Sequence, residues 1–492
     1  MAPLLPLISN VDSESVLSLK SVNQKVVEFK YAVRGPLVIR AHEIKTDLLV
    51  NPSRYPFNQV TFCNIGNPQS LKQKPITFFR QVSSLVEYPE LMESPLLGQL
   101  YPLDVVKRAK ELLTSVGGSV GSYSHSKGIP LVRQRIAQFI QTRDGYPSDP
   151  ESIFCTTGAS DGVKRTLELI ISKPNVGIMI PIPQYPLYTA SIASLGGLPT
   201  EYYLNESENW GMTTKELQRA LQQGRLAGQD VRALCVINPG NPTGQCLSLE
   251  TMQEVIQFCK DEKLVLLADE VYQTNIYTSS APFHSFKKVL KSMGAGYDDV
   301  ELISFHSISK GLIGECGRRG GYFECVNINQ DVMDLMYKMA SVSLCPPVQG
   351  QLMLELMVNP PKPGDASYDL YVKEQKDIYD SLVRRSQKLH QAFNSLQGMS
   401  CNEAQGAMYL FPQIKLPQRA IDDAKKQNIE ADLMYCIQLL ESTGVCVIPG
   451  SGFGQMDGTL HFRSTFLPPE DSLDLFITTF KKFHLQFMNK YS

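Results

Sequence analysis

The sequence predicts an α/β protein. It has a large domain with a mostly parallel sheet covered by helices on both faces, and a smaller α+β domain drawn from both chain ends. Three observations predict this. From about residue 151 to 325, short apolar runs of strand length alternate with stretches of helical spacing. Nearly every run ends in small, hydroxyl or Gly/Pro residues, the usual exit of a buried strand. A breaker-rich segment at 361–368, Pro-Lys-Pro-Gly-Asp-Ala-Ser-Tyr, then leads into a long helix of mixed charge, after which the rhythm changes.

In order, the chain opens with a Pro-rich polar segment, then strand-like stretches over 26–38 and a short helix over 37–49. Residues 60–63 read as a strand that ends in the turn Asn64-Ile-Gly-Asn-Pro68. Leu103, Val106, Ala109 and Leu113 set helical spacing, and a Gly/Ser-rich loop through Tyr123 to Gly128 separates that helix from one over 131–140. The alternation follows: strand 153–157, helix 160–171, strand 176–180, helix 188–195, strand 233–237, helix 249–259, then strands 264–268, 302–305 and 321–325. A helix over 371–393 and an α+β remainder complete the chain. The expected division is 1–120 as N-terminal arm and part of the small domain, 121–364 as the large domain, and 365–492 as the remainder of the small domain.

Composition narrows the function classes. With 492 residues, 43% hydrophobic and 20% charged, the chain has room for two ordinary globular domains. A net charge of −2 gives no bulk attraction to nucleic acid or an anionic membrane, and neither is an expected partner. Eleven cysteines without a C-x-x-C pair read as buried small hydrophobes in a reducing compartment, with no metal site expected. There is no apolar run of membrane-spanning length. The first fifteen residues lack Lys and Arg and carry Asp12 and Glu14, which argues against a secretory or transit segment; the last four, Asn-Lys-Tyr-Ser, match no retention address. The expected compartment is the cytoplasm, with the mitochondrion left open.

The chemistry-bearing pieces fall at strand ends, where ligands of such sheets bind. The stretch 302–310 delivers Lys310 from an apolar run into a polar turn; an amine there is either shielded by a carboxylate or used as a nucleophile toward an aldehyde. Thr156-Thr-Gly-Ala-Ser160 joins a strand to a helix start and serves either as a tight N-terminal turn or as a phosphate cradle. Tyr185, between two prolines, is a rim tyrosine or a stacking platform for a planar ring. Asn238-Pro-Gly-Asn241-Pro242 is a turn that also fixes an amide at the end of a strand, and a cis Asn241–Pro242 bond is expected. Asp269 ends a buried strand as a structural ion-pair partner or as the counter-charge of a protonated ring nitrogen, with Tyr272 three residues on. Gly317-Arg318-Arg319-Gly320-Gly321 is a solvated basic turn or a phosphate clamp. Arg463, on an apolar strand, needs an anionic partner from the chain or from a substrate. Ser307-Ile-Ser-Lys310 also fits the S-x-x-K pattern of penicillin-recognising enzymes, but the companion S-D-N and K-T-G elements are missing.

Singly these pieces are weak; their order and spacing resemble the fold-type-I pyridoxal-phosphate-dependent aminotransferases. Longer strings, among them Pro-Ile-Pro-Gln-Tyr-Pro-Leu-Tyr, Leu-Ala-Asp-Glu-Val-Tyr-Gln and Gly-Glu-Cys-Gly-Arg-Arg-Gly-Gly-Tyr, resemble the alanine-directed branch of that family. The likeness runs from about Tyr31 to the C-terminus. It implies pyridoxal 5'-phosphate as cofactor, held covalently by Lys310. Asp269 would pair with the ring nitrogen, Asn241 and Tyr272 would meet the ring hydroxyl oxygen, and Tyr185 would stack on the ring. Ala159, Ser160, Ser307 and an arginine would surround the phosphate. The broader family would put that arginine at Arg318; the branch puts it at Arg319, which the following Gly-Gly favours. Arg463 would take the substrate α-carboxylate, with Gly66 close by. Tyr123 would reach a neighbouring subunit's phosphate, which implies a homodimer with shared sites. The implied reaction is ping-pong transfer of an amino group between L-alanine and 2-oxoglutarate, giving pyruvate and L-glutamate. A glutamate–glyoxylate or other related aminotransferase is the alternative. A lyase on the same fold would need no 2-oxo acid acceptor. A non-enzymatic relative would be expected to lose Lys310 or Asp269, and both are present.

Overall fold

The computed structural model describes residues 17–28, 31 and 35–492. Its centre is a seven-stranded sheet in the order Ile153–Thr156, Gly321–Val326, Leu302–Ser307, Val265–Asp269, Asp230–Ile237, Val176–Ile182, Leu198–Tyr203. Every pairing is parallel except the two made by Gly321–Val326, so the expected mostly parallel sheet is observed. Along the central strands successive residues enter different cores. Leu266, Ala268 and Leu302 pack on one side, and Leu267, Ile303 and Phe305 on the other. This is the period-two signature of a sheet buried on both faces, and it explains why these strands read as continuous apolar runs.

The helices Thr77–Glu87, Thr214–Leu226, Phe286–Ser292, Gln330–Val342 and Val348–Val358 lie in stretches for which the sequence reading gives no element, and two further departures are instructive. Leu198–Tyr203 is a strand that the apolar pattern does not announce. It lies at the sheet edge, where one face stays exposed and Pro199 is tolerated because the ladder needs fewer donors. The strand-like reading of 26–38 is corrected. Gln24–Glu28 is a helical turn whose start is capped by the Asn23 side chain, and Pro36–Val50 is a helix with proline at its first position. Residues 29, 30 and 32–34 of that stretch lie outside the described residues. Elsewhere the expected helices appear with shifted ends, as Leu103–Ser115, Pro130–Asp144, Ala159–Ile170, Leu187–Leu195, Leu249–Glu262 and Tyr368–Asn394.

The chain ends meet beside the strand ends of the central sheet. Thr61–Phe62 pairs in parallel with Val445–Cys446. Tyr409–Leu410, Phe462–Thr465 and Ile448–Pro449 form a three-stranded antiparallel sheet backed by the helices Tyr368–Asn394, Ala431–Thr443 and Glu470–Tyr491. All eleven cysteines are free thiols. Most are buried, as expected; Cys316 instead stands in the site described next. Among the described residues no helix is long and apolar enough to cross a membrane.

Candidate active site

One edge of the central sheet collects the functional side chains. Register places Ile237 beside Asp269, Asp269 beside Phe305, and Ser307 and Thr156 beside Gly321, so four segments deliver their next residues to one place. The antiparallel Gly321–Val326 strand starts at this edge, and the arginine turn preceding it therefore arrives there too.

At one end lies the turn Thr156–Ser160. Gly158 takes a positive φ of 78°, Asp161 accepts the Thr157 N–H at 2.9 Å, and the Ala159–Ile170 helix begins with its free N–H groups facing the edge. Arg319, itself at φ 57°, folds its guanidinium over this turn, donating to the Thr157 and Cys316 carbonyls at 3.0 Å each and to Ser160 Oγ at 3.4 Å. A Cβ on Gly158 would overlap that guanidinium, so only glycine permits the approach. Helix start, hydroxyl and guanidinium together are a donor set suited to a phosphate dianion. Ser307 ends its strand within the same edge, and its Oγ accepts the Ser309 N–H at 3.3 Å. Tyr123 is 79% exposed and lines the same outer cleft as Ser160.

At the other end Asp269 is buried, and Tyr188 donates to its Oδ2 at 2.9 Å. Burial pushes the Asp269 carboxyl up to about 6, against the opposing pull of the Tyr188 hydroxyl, the Val271 N–H and Lys310. A carboxylate so placed gains by facing a protonated ring nitrogen. Tyr188 is a contact that sequence reading missed; it stands in the quoted tyrosine string, one helical turn past Tyr185, but nothing local marks it as Asp269's partner. Asn241 Nδ2 donates to the Tyr272 hydroxyl at 3.4 Å, so the two residues expected on one ring oxygen do converge. The Asn241–Pro242 bond is cis, as expected, as are Ile182–Pro183 and Asn238–Pro239. Tyr185 is partly buried nearby, with its hydroxyl 2.9 Å from that of Tyr31.

Between these ends stand two cations. Lys310 Nζ donates to the Gly66 carbonyl at 2.7 Å. Arg463 is 1% exposed, donates to Asn241 Oδ1 at 2.9 Å and to the Asn64 carbonyl, and lies 4.1 Å above the Tyr409 ring. Its Nε is buried without a partner among the described residues. Among the described residues this buried guanidinium reaches only neutral oxygens, and a cation so placed carries an unmet demand for an anion. A Cβ on Gly66 would overlap the Tyr409 hydroxyl and stand 3.0 Å from Lys310 Nζ, so the close approach requires glycine. Asn64 and Tyr409 are further residues that sequence reading missed, because their parts depend on contacts between distant segments.

The description "Aminotransferase class I and II" fits residues 93–478 of this chain. The chain belongs to that family. Class I and II aminotransferases depend on pyridoxal 5'-phosphate, and the residues present fit that group, with phosphate donors at one end, a buried carboxylate at the other and an amine between. The chain is 51% identical over 480 residues to the probable mitochondrial alanine aminotransferase of Dictyostelium discoideum, covering 96% of this chain and 90% of that protein. It is 50% identical over 478 residues to alanine aminotransferase 2 of Panicum miliaceum, covering 97% and 99%. Glutamate–glyoxylate aminotransferase 2 of Arabidopsis thaliana is likewise 50% identical over 481 residues, covering 98% of each chain. The solved alanine aminotransferase from Pyrococcus furiosus superposes with a TM-score of 0.75 at 22% identity, covering 94% of this chain and all of that one, and shares its fold.

Proposed function

We propose that this aminotransferase moves the amino group between L-alanine and 2-oxoglutarate, giving pyruvate and L-glutamate in a ping-pong cycle. The observation that carries the reading is Arg463, a buried cation without a counter-charge among the described residues, set near the Lys310 amine in a chain half identical to alanine aminotransferases. When bound, pyridoxal 5'-phosphate supplies an aldehyde that captures amines and a ring that withdraws electrons. Arg463 binds the substrate carboxylate through paired N–H groups and fixes the orientation of the Cα–H bond. Lys310 would hold the cofactor covalently, and its Nζ is the amine that would take and return the substrate Cα proton. Asp269 keeps a proton on the ring nitrogen, and Tyr188 holds Asp269 in place. Asn241 and Tyr272 serve the ring hydroxyl oxygen, and Tyr185 stacks on the ring. Ala159, Ser160, Ser307 and Arg319 hold the phosphate. Gly66 leaves room for the substrate.

The same reading makes the protein a homodimer, Tyr123 of each chain serving its neighbour's phosphate; its exposed ring and the exposed Val342 and Leu344 support this. It divides the chain at about residues 120 and 364, supported by the pairing of Thr61–Phe62 with Val445–Cys446 across nearly the whole sequence. We place it in the cytoplasm, with the mitochondrion as alternative, since several relatives carry "mitochondrial" in their names. The second reading, glutamate–glyoxylate transfer, is favoured by relatives of equal similarity. Purified protein assayed with a panel of amino donors and 2-oxo acids decides between them. Alanine with 2-oxoglutarate should give the highest kcat/KM; preference for glyoxylate as acceptor would overturn the first reading.

A further inference from the structure

None of the roles above uses the Tyr409 hydroxyl, although it lies at the centre of the site. Its ring is buried beneath the Arg463 guanidinium at 4.1 Å and meets Tyr272 edge-on with centroids 6.0 Å apart. Tyr272 takes a hydrogen bond from Asn241 Nδ2 and gives its own proton to the Tyr409 oxygen at 3.3 Å. Among the described residues, Tyr409's own proton finds no acceptor. On its open side the hydroxyl shares the space above Gly66 with Lys310 Nζ. The groups facing it are Lys310 and Cys316 from the loop after the Leu302–Ser307 strand, Arg463 from its strand, Tyr272 and Tyr185. The two charged ones are cations, and the nearest neutral hydroxyl donates to it.

In the cofactor-free protein such surroundings suit a phenolate, which accepts from Tyr272 and lies between two positive charges. Burial pushes the phenol up, but Lys310, Arg463 and the Tyr272 hydroxyl outweigh it, so Tyr409 falls below its ordinary value. Tyr272 is held well above its own.

The proposed reaction requires a proton acceptor here. An amino acid arrives with its nitrogen protonated and has no lone pair to give. With its carboxylate on Arg463, that nitrogen is one carbon away, in the space bounded by Gly66, Lys310 and Tyr409. We propose that Tyr409 is a further catalytic residue, whose oxygen takes the proton from the ammonium of the incoming amino acid and gives it back to the amino acid that leaves. One N–H bond breaks and one O–H bond forms; cation and anion are both neutralised, and no oxidant or reductant takes part. The inference rests on the aminotransferase reading above.

The test is Tyr409→Phe in the full-length protein, with retention of bound cofactor checked by its absorbance. At neutral pH, kcat/KM for the amino acid should fall about 10- to 100-fold. It should then climb by roughly tenfold per pH unit as the substrate's own amine deprotonates, approaching wild type in alkali. A profile parallel to wild type would overturn the proposal. A second readout needs neither substrate nor cofactor, and so separates this proposal from the assignment of activity. Ultraviolet titration of the cofactor-stripped wild type should show one tyrosinate forming below the others. That signal should vanish in Tyr409→Phe and move upward in Tyr272→Phe. Identical titrations of wild type and Tyr409→Phe would refute the assignment.

Discussion

Asp269 and Glu270 are consecutive, both fully buried, and face two regions that treat charge in opposite ways. On the Glu270 side the chain supplies its own counter-charges. Arg143 forks onto Asp144 at 2.7 and 2.6 Å, Lys287 pairs with Glu324, and Glu270 accepts the Phe286 N–H at 2.7 Å. On the Asp269 side the cations are left to neutral partners: Lys310 leans on the Gly66 carbonyl, and Arg463 on Asn241 and the Asn64 carbonyl. Burial is equally unfavourable for charge in both. The difference teaches that the first region pairs most of its charges within the chain, although Tyr322, His306 and Glu324 Oε2 keep buried atoms without a partner among the described residues, while the second leaves Arg463 to neutral oxygens.

Four substitutions break or sharpen that contrast. The largest effect belongs to Lys310→Ala, which should lower turnover by more than about 10³-fold while leaving the fold intact by circular dichroism; near-normal transamination would remove Lys310 from the chemistry. Next is Arg463→Lys, which keeps the charge but loses the planar fork. Steady-state kinetics should show kcat/KM for amino and 2-oxo acids falling by roughly 10²-fold, with cofactor binding little changed.

Asp269→Asn should weaken cofactor binding and flatten its pH dependence. Burial pushes the Asp269 carboxyl up to about 6, so the carboxylate that meets the ring is lost as pH falls through that value. Wild-type affinity should therefore drop on acidification by up to about tenfold per pH unit, measured by absorbance titration of stripped protein; the Asn variant should show no such limb.

The smallest effect on activity belongs to Glu270→Gln, whose signature is stability. Burial pushes Glu270 up to about 8, from an ordinary 4.5. A raised value means the folded state holds the proton more tightly. That stabilisation is complete below the ordinary value and is lost as pH rises through about 8. Wild type should lose a few kcal/mol of unfolding free energy over that window that Glu270→Gln does not lose, in denaturant titrations at several pH values. Parallel pH profiles would show Glu270 already ionised by its neighbours.

Much of the site was legible because strand and turn chemistry is local. An apolar run that ends in Asp269, or in Ser307 and Lys310, declares both a buried strand and the residue it presents. What stayed hidden depends on distance or on the sign of a dihedral angle. Arg318 and Arg319 are alike in composition, and only the Gly-Gly that follows favoured Arg319; in the fold Arg319, at positive φ, lays its guanidinium on the Thr156–Ser160 turn. The edge strand Leu198–Tyr203 was hidden because a half-exposed strand with proline and glutamate lacks the apolar run that marks its inner neighbours.

The sequence by itself determined the alternating strands and helices, the parallel sheet they require, and the order of reactive residues along its strand ends, since periodicity and turn residues act within a few positions. Only the tertiary structure decided which of those residues share a site. Arg463 reaches Asn64 and Asn241, Tyr188 reaches Asp269, and Tyr409 lies between Lys310 and Arg463 because the two chain ends fold back over the sheet edge. No local pattern encodes that approach; the joint burial of distant apolar faces does.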